Sequence, residues 1–160
     1  MVKVKERVQF KVRNSEKGDG YELGPNLRQA DKDEIYALTG ATDPAQDLES
    51  SLWRSDSCWT VALGDEPIAI FGITESEDTT ANIWMLGSDK IEDVRWQFLR
   101  ESKSWLKKIS KDFTMLWAFA DSRNTKHTDW YEWLGFKIAA TKPYGPQDIP
   151  FHRIVYLTGA

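Results

Sequence analysis

Two apolar runs, IWML at residues 83–86 and TMLWAFA at residues 114–120, bracket a long amphipathic segment, and this arrangement narrows the possible folds most. Between them Ile91, Val94, Phe98, Trp105 and Ile109 recur at close to helical spacing, so one face of the segment is apolar. Asp89, with Glu92 three residues on, reads as a capping box opening a helix that runs to about Lys111. Strands joined by a helical crossover lie parallel, and the crossover is right-handed. The centre of the chain is therefore expected to hold a right-handed βαβ unit.

The surrounding segments favour antiparallel pairing. CWTVAL and PIAIFGI flank Gly64-Asp65-Glu66, a hairpin signature. After the crossover come a short helix from Asn124 to Leu134, a strand at FKIAA and a last strand at HRIVYL. Upstream, Asp31 is placed to cap a helix carrying Ile35 and Leu38 and stopped by Gly40, and Pro44 opens a second helix with Leu48 and Leu52 inward. Residues 2–13 alternate: Val2, Val4, Val8, Phe10 and Val12 on one side, Lys3, Lys5, Arg7, Gln9, Lys11 and Arg13 on the other. Period two means a strand with a basic outer face. NSEKGDG then reads as a linker, and Tyr21 to Arg28 as another short strand. The expected architecture is α/β (α+β): a mixed, mainly antiparallel sheet flanked by helices, with an extra N-terminal strand. Residues 1–20 form a basic arm and linker, and residues 21–160 form one domain.

Composition excludes several functions. No apolar run approaches the ~18 residues of a membrane span. One cysteine, Cys58, rules out an internal disulfide, and with His127 and His152 as the only histidines no Cys/His metal cluster is expected. A net charge of −4 argues against a general nucleic-acid binder. Eight tryptophans imply a well-packed core or an adhesive protein surface.

The element order resembles the GNAT N-acyltransferase fold, and the match sharpens at RNTKHTDWYEWLGF, residues 123–136. There Asn124, Tyr131, Gly135 and Phe136 stand where that family has its Asn, its Tyr seven residues later and its Gly-Phe. A narrower resemblance rests on LRQADKDEI, SDSCWTVALGDEPIAIFG, IWMLGSDKI, ADSRNT, WYEWLGF and KPYGPQDIPFHR, with PYGPQDIPFHR most characteristic. These segments are similar to a family of internal core or internal virion proteins of bacteriophages that carry a GNAT-like domain. The similarity covers about residues 27–155. It implies a virion or assembly protein, found in the phage particle and in the host cytoplasm during assembly. Its partners would be other virion proteins, with DNA nearby.

The GNAT resemblance implies a different role for particular residues. Tyr131 takes the place of the general acid and Asn124 that of a contact to acetyl-CoA, should the chain be an active N-acetyltransferase. The pyrophosphate turn of that family is glycine-rich, whereas GSDKIEDVRWQ carries Asp89, Glu92 and Asp93, with only Lys90 and Arg95 opposing them. Acids there neutralise the helix dipole and repel phosphate, so weak or no acetyl-CoA binding is expected and a scaffold role is preferred. Asn124 serves equally well as a helix cap, and Tyr131 as a half-buried ring. Asp121, Glu132 and His152 are candidates for a base by type alone, and His127 is expected to be solvated. Cys58 has no basic neighbour to activate it. Lys3, Lys5, Arg7, Lys11 and Arg13 are the candidate partner-binding face of the arm.

Overall fold

At the centre lie β4 (Thr80–Gly87) and β5 (Met115–Asp121), parallel and joined through α4 (Arg95–Ser110). This is the crossover anticipated from the sequence. The computed structural model describes residues 8–159. Around the pair run β1 (Lys11–Asn14), β2 (Ser57–Leu63), β3 (Glu66–Glu75), β6 (Lys137–Tyr144) and β7 (Ile149–Leu157), in the order β1-β2-β3-β4-β5-β7-β6. Every other neighbouring pair is antiparallel. The mixed, mainly antiparallel sheet is thus as expected.

Alternation along β4 divides its side chains between two layers. Ile83 and Met85 pack beneath α4 and α5 (Thr125–Leu134), with Leu106, Ile109, Leu116 and Tyr131. Trp84 and Leu86 face α1 (Asp19–Leu23), α2 (Gln29–Thr39) and α3 (Pro44–Arg54), where Leu23, Ile35, Leu48 and Leu52 are buried. Trp59, Phe71 and Trp105 pack together against the first layer, their ring centroids 5.2–5.4 Å apart. Trp59, Trp84, Trp105 and Trp130 are thus partly buried against the core, whereas Trp53, Trp96 and Trp133 are exposed.

Local chemistry corrects three expectations. Residues 21–28 are not a strand: α1 is followed by a 3₁₀ turn at Gly24–Asn26. The Glu49 carboxylate accepts from Gly18 and Gly20 N–H, which ties this segment to α3, and Gly24 lies so close to Ala45 that a side chain would collide. Second, Ser88 rather than Asp89 caps the turn before α4, its hydroxyl accepting from Lys90 N–H at 3.3 Å. A 3₁₀ stretch, Asp89–Val94, intervenes before the α-helix begins. Its three-residue period puts Ile91 and Val94 on one side. Third, α2 starts at Gln29, so Asp31 lies inside it and not at its cap.

Residues 1–7 lie outside the described residues, and with them Lys3, Lys5 and Arg7 of the candidate partner face. Of the described part of the expected strand, Lys11–Asn14 alone joins the domain's sheet, as β1 paired with β2, Lys11 against Ala62 through Asn14 against Trp59, whereas residues 8–10 are not strand. Phe10 is buried, and Gln97 closes two hydrogen bonds with its backbone. Lys11 is exposed, whereas Arg13 is held bidentate by Asp19 at 2.7 and 2.9 Å.

Candidate active site between the parted strands

Pairing between β4 and β5 lasts for three residues, from Thr80 against Met115 to Asn82 against Trp117, and then stops. Beyond that point the strands part, and their backbone groups must find other partners. Ser88 N–H donates to Ile68 of β3, whereas Gly87 N–H donates to Asp31 on the opposite side, at 2.9 Å. Alternation along the strand turns the Met85 N–H to the same side as that of Gly87, toward the gap.

Two acids from successive turns of α2 reach into the opening. Asp31 accepts from Gly87 N–H, from Arg28 at 2.8 Å and from Asn124 Nδ2 at 2.9 Å. Glu34 accepts from Asp121 N–H and from Asn124 Nδ2, both at 2.9 Å, and lies 3.3 Å from His127 Nδ1. The acids thereby bridge the open ends of β4 and β5. Asp31, Glu34, Asn124 and His127 are each 5% exposed or less as whole residues. Two polar atoms of the cluster, Asn124 Oδ1 and His127 Nε2, are buried without a partner among the described residues. Asp31, Glu34 and His127 also offer ligand-type atoms within 4.8 Å of one another, an acid-rich set that a search for Cys/His spacing misses. Their carboxylate oxygens are engaged by Arg28, Asn124 and backbone N–H groups.

Tyr131 lies one turn beyond His127 on α5, their rings 4.7 Å apart, and is 1% exposed. Burial first, then the charges of Glu34 and Asp31, push its phenol far above the ordinary value. It stays protonated, and releasing its proton costs more than in water. Asn124 precedes α5, but its side chain makes no cap hydrogen bond and serves the cluster instead. His127 is buried, not solvated, because its helix turns it toward Glu34.

The candidate bases are spread out. Burial would raise the Asp121 carboxyl, but hydrogen bonds from the Arg123 guanidinium and backbone hold it below the ordinary value. His152 bonds Thr141 at 2.7 Å on the outer hairpin, and Glu132 is exposed. Burial pushes the Cys58 thiol up to about 11, which removes it as a nucleophile.

Beside the gap, between the start of α4 and α5, lies an open groove of about 440 Å³. Arg28, Arg95 and Lys126 line it against Glu92 and Asp129, with Trp130 and Trp133 among its walls. Lys126 pairs with Glu92 at 3.3 Å, which offsets one acid of the turn expected to repel phosphate.

No protein-family model matches the chain, and no curated protein matches it either. Solved structures do match. A GNAT-family acetyltransferase from Bacillus anthracis superposes with a TM-score of 0.70 at 13% identity, over 96% of each chain. An aminoglycoside N(6′)-acetyltransferase from Legionella pneumophila gives 0.70 at 10%, over 96% of this chain and 95% of that one. The chain has the GNAT fold. A third match, an aminoglycoside acetyltransferase solved with coenzyme A, has a TM-score of 0.65 at 17% identity, covering 93% of this chain and 95% of that one. At such identities the likeness is one of fold. The GNAT half of the sequence resemblance is thus supported structurally, whereas nothing in the comparisons supports the phage half.

Proposed function

We propose that this GNAT-fold chain is an N-acyltransferase that takes its acyl group from a coenzyme A thioester. One observation carries the reading: the central parallel strands part next to a groove that holds three cations. Arg95 suits the phosphates of such a donor, since it stands at the first position of a 16-residue helix, where the dipole also favours an anion, and Arg28 and Lys126 add positive charge beside it while paired with Asp31 and Glu92. These cations answer the missing glycines, which alone suggested that no cofactor would bind. The thioester supplies an activated acyl carbon. The Met85 N–H, directed into the gap, is placed to donate to the oxygen on which charge develops. Tyr131, kept protonated, donates a hydrogen bond toward the departing sulfur.

A second, non-catalytic reading has its own support. Asp31 and Glu34 already take the Gly87 and Asp121 N–H groups and bridge the opening. A chain so braced suits a protein-interaction role, the virion role among them. Isothermal titration with coenzyme A separates the two. Micromolar affinity that falls about tenfold in Arg95→Glu, the effect of ~1.4 kcal/mol, supports the acyltransferase. No heat at millimolar coenzyme A overturns it.

A further inference from the structure

Behind the groove, beneath α4 and α5, the sheet layer is incompletely filled. A cavity of about 50 Å³ lies there, walled by Val61, Phe71 and Ile83 from the sheet and by Trp105, Leu106 and Tyr131 from the helices. Interiors of natural domains leave few voids larger than a water molecule. This one is several times that size: a water-sized sphere takes about 10–15 Å³, so it admits roughly three to five groups as large as a methylene. Met85, Phe98 and Trp130 belong both to its wall and to the groove, so the two spaces adjoin. The strand that directs its N–H into the gap therefore also contributes to the cavity, through Met85.

The wall chemistry selects what fits. It is almost wholly hydrocarbon and aromatic. Ser102 accepts from Trp130 Nε1 at 3.3 Å and donates to Phe98 C=O at 2.6 Å, so its hydroxyl is satisfied internally and ties the shared Trp130 in place. Glu101 is the one acidic side chain in the wall, and its Oε2 is buried without a partner among the described residues. A polar or charged acyl tail would lose its hydration here with few groups to replace it. An alkyl tail gains by leaving water.

We propose that the acyl group accepted at this site is an alkyl chain longer than acetyl by roughly three to five methylenes, its tail lodged in this cavity. The inference rests on the acyl-thioester reading above and deepens it by naming the donor. In the reaction the acceptor amine nitrogen bonds to the acyl carbon, the carbon–sulfur bond breaks with its electron pair going to sulfur, and the amine proton ends on the released thiol. The cavity takes no part in these bonds and acts only through recognition of the tail.

Binding needs no acceptor amine, so the test is a calorimetric series of coenzyme A, acetyl-, butyryl- and hexanoyl-coenzyme A on the full chain. Each methylene that enters an apolar site tightens binding by about fourfold, so the affinities are expected to climb in that order. Leu106→Phe, which fills the cavity, is expected to abolish the climb and leave the affinity for coenzyme A itself unchanged. Val61→Leu is a smaller intrusion that serves if the first variant does not fold. Equal affinities for acetyl- and hexanoyl-coenzyme A overturn the inference and leave the acyltransferase reading intact. A preference for hexanoyl that survives a folded cavity-filling variant overturns it too, by placing the tail elsewhere. Failure of all four ligands to bind overturns the reading and the inference together.

Discussion

Asp31 is in contact with most of what defines the site. It is fully buried and shared by Arg28, Gly87 N–H and Asn124 Nδ2. Asp31→Ala would leave a guanidinium and two N–H donors facing a void, and losing one partner of a buried charged pair costs about 3–5 kcal/mol. Urea denaturation is expected to show a loss of that order, with Asp31→Asn intermediate. Tyr131→Phe removes only a hydroxyl from a well-packed ring. It is expected to retain the native fold by circular dichroism while slowing thiol release from the acyl donor by roughly 10²–10³, the range for loss of one hydrogen-bond donor to developing negative charge. An unchanged rate would leave Tyr131 as core and nothing more. Asp19 and Asp121 govern behaviour in acid. Burial would raise both carboxyls, but hydrogen bonds from Arg13 and Arg123 respectively outweigh it and hold them below their ordinary value. The stability they add is therefore complete above the unfolded-state pKa of about 4. It drains away as pH falls through the lower folded-state values. Asp19→Asn is expected to flatten the acid limb of a stability–pH curve, and a curve of unchanged slope below pH ~4 would exclude this role.

At the scale of elements, α4 is anchored by its apolar stripe. Phe98, Leu106 and Ile109 are buried, and Ile109 shares its cluster with Leu116 of β5, with Trp105 packed against it as its spacing predicts. Ile109→Ala opens a cavity and is expected to cost about 2–5 kcal/mol by chemical denaturation. The N-terminal strand is a sharper case. Its alternation is legible in sequence, but a strand's partner is not, because backbone pairing is indifferent to which strand supplies it. Here β1 adds to β2, Phe10 joins the core beside Phe98, and Arg13 clasps Asp19 at the head of α1. Deleting residues 1–20 is therefore expected to lower the thermal midpoint by several degrees, at about 2–4 °C per kcal/mol for a domain of this size. An unchanged midpoint would restore the view of a separable arm.

Over the whole molecule, the sequence and the structure speak to different things. Periodicity and turn chemistry were enough to predict the hairpin of β2 and β3, the crossover through α4 and the succession of elements along the chain after it, because amphipathic spacing is imposed by which face must leave water, whereas the insertion of β7 between β5 and β6 was not predicted. The cap of the α4 region was misread because Ser88 and Asp89 are both good caps, and a 3₁₀ turn uses the first. The site was only half legible. Asn124 and Tyr131 stood out through the resemblance to the GNAT pattern, yet Asp31 and Glu34 carried a signal of their own: with Ile35 and Leu38 they occupy i, i+3, i+4 and i+7, the spacing of one helix face, and both acids are buried. Acids on such a face need partners, and those partners, Gly87 N–H, Asp121 N–H and Asn124, lie 56–93 residues away. Local sequence thus determined the elements and their faces, since these depend on neighbours a few positions apart. The parting of β4 and β5, the closure of the acids over it and the apolar space behind it were decided by tertiary packing alone, which brings distant groups together and leaves voids that no residue encodes by itself.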